Sequence, residues 1–161
     1  MQDIEKFIRG FQQFQQKYFL EQQELFDELK QGQHPKTLLI GCCDSRVDPA
    51  LITGSDPGDM FVIRNIANLV PPFQIGSTPQ GISSALEFAI NSLNVERVIV
   101  LGHQHCGGIR ALMQGTSPES SPSGFVERWM QIAESARERV LRDLPDHPPA
   151  AQLRAAELAS I

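Results

Sequence analysis

The stretch TLLIGC at residues 37–42, followed at once by Cys43-Asp44-Ser45-Arg46, decides the fold. Leu38, Leu39 and Ile40 run without polar alternation, which suits a parallel strand buried on both faces better than one with a wet side. Two other segments read the same way: MFVIRN at 60–65 and RVIVLG at 97–102. Between them, QGISSALEFAINSLN at 80–94 carries Ile82, Leu86, Phe88, Ala89, Ile90 and Leu93 and reads as a helix. Asp48-Pro49 opens a short helical turn after the first strand, proline being pre-organised for a helix start. Strand and helix in alternation predict an α/β fold, a parallel β-sheet with core strand order 2-1-3 flanked by helices.

Outward from this centre, residues 2–30 read as a long helical segment, with Ile4, Phe7, Ile8, Phe11 and Phe14 as an apolar stripe. Gly32 and Pro35 stop it, so residues 1–32 form an N-terminal helical arm. GTSPESSPSG at 115–124 lacks periodicity and is expected to be a flexible loop. Residues 125–141 read as an amphipathic helix holding the single tryptophan, Trp129. AQLRAAELASI at 151–161 starts as helix and stops without a closing strand. The whole chain, 1–161, is read as one domain.

Composition excludes several classes of function. The 161 residues carry 14 basic and 19 acidic side chains, a net charge of −5, and so lack the basic footprint of a nucleic-acid binder. At 41% hydrophobic and 20% charged, the chain is ordinary for a globular protein. No apolar run approaches the roughly 20 residues needed to cross a bilayer, and the polar, acidic start does not resemble a signal peptide. No nucleic-acid and no membrane partner is expected, and the cytoplasm is the default location, with a carboxysome or organelle left open.

Three cysteines, two of them adjacent, suit metal ligation or catalysis better than a disulfide framework. Cys42-Cys43-Asp44-Ser45-Arg46 and Gly102-His103-Gln104-His105-Cys106-Gly107-Gly108 each follow a predicted strand, where open α/β sheets place their ligand sites. If residues 42–46 stay extended, Cys42, Asp44 and Arg46 share one side, while Cys43 points the other way into the core. His103 and Cys106, three apart, face one side of a helical turn. Gly107 and Gly108 let the backbone approach a bound group. Two thiolates and an imidazole are a preferred ligand set of Zn²⁺, and three protein ligands leave a fourth position open. His34 and His105 read as bystanders.

With these motifs in place, the chain resembles the β-class carbonic anhydrases, whose signatures are C-x-D-S-R and H-x-x-C-G-G. The similarity runs from about Leu25 to Met113 and takes in GQHPK, GDMFVIRNIAN, VPPF and the GHQHCGG turn. The resemblance implies one zinc per chain on Cys42, His103 and Cys106, with Asp44 and Arg46 as the catalytic dyad beside it. It also implies Gln33, nine residues before Cys42, as a bicarbonate contact, and Phe61, Ile66 and Phe88, with Gly107, around the substrate pocket. Phe88 stands where some members carry tyrosine. In members that switch off, the residue at Asp44 becomes a fourth metal ligand in a closed state, often with tryptophan where this chain has Leu39.

The implied activity is reversible hydration of carbon dioxide to bicarbonate and a proton. The implied assembly is a homodimer or higher homo-oligomer, with the N-terminal helices lying across a partner. The family continues into further C-terminal strands that are missing here. Two alternatives share the ligand set: hydrolysis of carbonyl sulfide or carbon disulfide, and a catalytically inactive, zinc-binding truncated paralogue.

Overall fold

A computed structural model describes residues 2–73, 80–115 and 122–161. The chain divides into two compact units, one ending at His34 and the other spanning Pro35–Ile161. In the first, helix α1 (Gln2–Gln15) passes through a π-helical turn, Gln16–Glu21, into helix α2 (Gln23–Leu29). The turn is closed by aromatic rings: Phe14 lies 5.7 Å from Phe26 and 4.9 Å from Tyr18 between centroids, and Phe19 lies 5.1 Å from Phe26. These edge-on and tilted contacts suit the ring quadrupoles. The apolar stripe of α1 covers little of itself, since Ile4, Phe7, Ile8 and Phe11 are all exposed.

The second unit holds a three-stranded parallel sheet in the order β2-β1-β3, as the apolar runs predict. Its strands are β1 (Thr37–Cys42), β2 (Met60–Asn65) and β3 (Arg97–Leu101). Leu38, Leu39 and Ile40 of central β1 are almost completely buried. Leu38 and Ile40 pack with Ile63 and Ala89 on the side of helix α4, Gly81–Glu87, which ends in a π-helical turn at Phe88–Ser92. Helix α3 (Pro49–Thr53) follows β1. The Asp48 carboxylate caps it by accepting the amides of Ala50 at 3.0 Å and Leu51 at 3.2 Å, with Pro49 in its first turn.

A second core cluster lies beside the carboxyl end of β1. It gathers Cys42, Cys106, Ile109, Met130, Ala133 and Ala156 among helices α5 (Gly107–Gln114), α6 (Phe125–Met130), α7 (Glu134–Asp143) and α8 (Pro149–Ala159). The helix expected over 125–141 is therefore two helices joined by a 3₁₀ turn at Gln131–Ala133. Met130, Ala133 and Ala136, on either side of and within this turn, are all buried in the core. Of the loop expected at 115–124, residues 116–121 lie outside the described residues. Among the described residues, no helix is long and apolar enough to cross a membrane.

Candidate metal centre

β1 delivers Cys42 to the carboxyl edge of the sheet, opposite Asn65 of β2. The last sheet bond of this segment runs from the Cys43 amide to the Asn65 carbonyl at 2.8 Å, and the chain then turns. The extended path expected for residues 42–46 is thus replaced by a turn in which the Val47 amide meets the Asp44 carbonyl at 3.2 Å. The cause is the aspartate itself, whose Oδ1 accepts the Arg46 amide at 3.0 Å, a local bond that competes with strand geometry. Cys43 does not pack in the core as expected. It is exposed and borders the cleft, while Cys42 beside it is buried.

β3 delivers the second segment. His103 and Cys106 flank a reversal at Gln104-His105, and Cys106 sits at the N-cap of α5. His105 takes φ = 56°, a left-handed conformation costing a non-glycine residue about 1 kcal/mol. Its backbone carbonyl accepts the Arg46 Nη2 at 3.1 Å, while its imidazole is not among the grouped ligand side chains.

The two segments bring Cys42, His103 and Cys106 together. Their ligand atoms lie within 4.8 Å of one another, the one such group found among the described residues, and the two sulfurs are 4.0 Å apart. His103 Nδ1 lies 2.8 Å from the Gln104 carbonyl, which can only accept, so the ring proton belongs on Nδ1. Nε2 is left buried without a hydrogen-bond partner among the described residues. A buried, unpaired ring nitrogen facing two sulfurs is a donor set in want of a cation. The cysteines show the same need. Burial, and then the Cys42 sulfur beside it, push the Cys106 thiol up, while the amides of Ile109 and Gly108 oppose this. Two buried sulfurs 4.0 Å apart could both ionise only with a positive charge between them.

Asp44 and Arg46 form a forked ion pair beside the triad, Nε to Oδ1 at 2.8 Å and Nη2 to Oδ2 at 2.6 Å. The Arg46 side-chain bonds, then its backbone amide, hold the Asp44 carboxyl far below the usual carboxylate range. In return, Asp44 raises the Arg46 guanidinium further. A cleft of about 270 Å³ opens over Cys42, Cys43 and Asp44, walled by Ile66, Gly107, Gly108 and Val126. Gly108 is required by close approach, since a Cβ there would lie 2.7 Å from Ile66 Cγ2 and 3.0 Å from Ala67 Cβ. At Gly107 a Cβ would meet nothing within 4 Å. Phe61 and Phe88 meet at a tilt of 39°, centroids 5.9 Å apart, and do not line this cleft. Gln33 belongs to the N-terminal unit and is exposed.

Several residues that support the site were not singled out from the sequence. Arg64 donates to the carbonyls of Cys42 at 2.9 Å, Asp44 at 2.8 Å and Val47 at 3.2 Å, and pairs with Asp48 Oδ2 at 3.3 Å, clamping the ligand-bearing turn. A charged residue inside an apolar strand was the available signal, because such a group demands partners. Asn65 uses both ends of its amide on Leu69, donating to the carbonyl at 2.9 Å and accepting the amide at 2.8 Å. That closes the loop whose Ile66 faces the cleft, and Trp129 Nε1 holds the Ile66 carbonyl at 2.7 Å. Val126 comes from a helix that carries no motif.

The sequence profile of the family described as carbonic anhydrase matches residues 37–161. A carbonic anhydrase of Synechocystis is 42% identical over 139 residues, which are 86% of this chain and 49% of that protein. The structure of the β-carbonic anhydrase CcaA superposes with a TM-score of 0.89 at 38% identity, covering 99% of this chain and 76% of that one. Tetrameric β-carbonic anhydrases of Sordaria macrospora superpose with a TM-score of 0.81 at 27% identity, covering 99% of this chain and 77% of theirs. With the triad, the dyad and the sheet all in place, the chain belongs to the β-carbonic anhydrase family. It spans about half the length of the curated relatives it matches.

Proposed function

We propose that this chain carries the catalytic centre of a zinc-dependent carbonic anhydrase that interconverts carbon dioxide and bicarbonate. The observation that carries the reading is the buried Nε2 of His103, without a hydrogen-bond partner among the described residues, grouped with the sulfurs of Cys42 and Cys106 next to an ion-paired carboxylate. Cys42, His103 and Cys106 would hold the zinc. When bound, zinc supplies the acidity that makes water a nucleophile near neutral pH.

The remaining work falls to side chains of this protein. Asp44, kept ionised by Arg46, can only accept a hydrogen bond, so it orients the reacting water by taking up its O–H. A carboxylate whose proton affinity is lowered this far orients the donor without keeping the proton, which must pass to solvent. Arg46 keeps both carboxylate oxygens engaged, which holds Asp44 in one rotamer. Ile66 and Val126 offer the apolar wall suited to carbon dioxide, a molecule without net charge.

Gln33, Phe61 and Phe88 are proposed to serve a cleft completed by a second copy of the chain. The tetrameric relatives support such a homo-oligomer. Stopped-flow hydration of carbon dioxide beside zinc quantification tests the function. Turnover at one zinc per chain, abolished in Asp44→Ala with zinc retained, is the expected result. Zinc at one per chain without hydration at any pH contradicts it and favours a binding-only module, and turnover of carbonyl sulfide alone favours the hydrolase.

A further inference from the structure

We propose that Glu157 is a positioning residue of the metal centre, its carboxylate holding the peptide that carries Cys106 so that the sulfur faces Cys42 and His103. This rests on the reading of those three residues as metal ligands. Glu157 lies on α8 and is 5% exposed. Its Oε1 accepts the Cys106 amide at 3.1 Å, across 51 residues of sequence. Its Oε2 is 3.9 Å from Nη1 of Arg154, a loose pairing with a side chain that is half exposed.

A carboxylate is costly to bury, and α8 does not need one to dock, since Ala156 beside it is fully buried in the core cluster. The amide it takes is a specific one. Cys106 stands at the N-cap of α5, where its N–H has no partner within the helix. The carbonyl of the same peptide unit, that of His105, accepts Nη2 of Arg46 at 3.1 Å. One peptide plane is therefore gripped at both ends by charged groups of opposite sign, a guanidinium on its oxygen and a carboxylate on its nitrogen.

That grip matters because His105 is held at φ = 56°, a strained turn that persists only when its surroundings fix it, and the two bonds on the peptide after it do so. Without the carboxylate the Cys106 amide would be buried with no acceptor, and the turn that aims its sulfur at Cys42 would lose one of its two anchors. The dyad and the ligand are joined through the same plane, since the guanidinium that pins His105 also binds Asp44.

The test compares Glu157→Gln, which keeps an accepting oxygen, with Glu157→Met, which keeps the volume and removes it. Zinc affinity is read by chelator competition, and the ligand field is read from the sulfur-to-metal charge-transfer band of the cobalt-substituted protein. Loss of an outer-shell partner lowers metal affinity by about 10–100-fold. That loss, with an altered cobalt band, is expected for Glu157→Met, while Glu157→Gln stays close to wild type in both readouts. Wild-type affinity and an unchanged band in Glu157→Met overturn the proposal, as does a Glu157→Gln protein as impaired as Glu157→Met. Should Glu157→Met fail to fold, Glu157→Asp, which withdraws the carboxylate by one methylene, carries the same comparison, and wild-type affinity there overturns the proposal. Failure of the underlying metal reading shows separately, as a wild-type protein that binds neither zinc nor cobalt.

Discussion

Removing the guanidinium of Arg64 should loosen the turn that carries Cys42 and Asp44 without touching either residue. Arg64→Met keeps the aliphatic stem and deletes three bonds to carbonyls and the pairing with Asp48. The Asp48 pair is partly exposed on both sides, 30% and 42%, so it contributes at most about 1 kcal/mol. A hydrogen bond from a charged donor contributes about 1.5–3 kcal/mol net, but the three share one partly exposed group and do not add, so the total comes to about 2–4 kcal/mol. A domain of this size loses about 2–4 °C in Tm for each kcal/mol, which predicts a fall of roughly 4–16 °C. Thermal and urea unfolding of the zinc-free protein measure this directly. Arg64→Lys should recover only part of the loss, because a single ammonium cannot reach three carbonyls in the fixed directions of the fork. A change in Arg64→Met within about 0.5 kcal/mol, the usual effect of a surface substitution, would refute the clamp.

Three other expectations follow from single contacts. Gly108→Ala forces a methyl group to within 2.7 Å of Ile66 and should cost about 1–3 kcal/mol in urea unfolding; an unchanged midpoint would show that the loop can yield. Cys42→Ser should abolish zinc retention while Cys43→Ser, altering an exposed thiol, leaves one zinc per chain by mass spectrometry; the reverse order would mean that the ligand register is displaced. The Asp44 pKa is depressed below its ordinary 3.8, so the stabilisation it brings is complete above about pH 4 and disappears only as pH falls further, towards the folded value. Carboxyl-detected NMR should accordingly show Asp44 ionised and unchanging from pH 7 down to pH 4, and a titration within that range would contradict the tight pair with Arg46.

The parallel sheet was legible because its strands are short apolar runs separated by helix-period segments, a pattern with few alternatives. The triad was legible for a similar reason: both motifs follow strands whose carboxyl ends meet at one edge, so topology brings together residues 64 positions apart. What stayed hidden depended on local bonds that propensity does not report. The turn at Asp44 arises from one side chain capturing the Arg46 amide, and Cys43 just before it is exposed where core packing was expected. Arg64 and Asn65 sit inside a strand-like run, and their roles emerge only once the neighbouring loop has folded over them. Glu157 lies on a helix without a motif, and nothing in the sequence near it points to Cys106.

X-ray absorption at the zinc edge of the purified, metal-loaded chain addresses the central claim most directly. Two sulfur scatterers at about 2.3 Å and a histidine nitrogen at about 2.0–2.1 Å are predicted, with the sulfur count falling to one in Cys106→Ser. A protein that takes up no zinc, or whose bound zinc is surrounded by oxygen alone, would contradict the account.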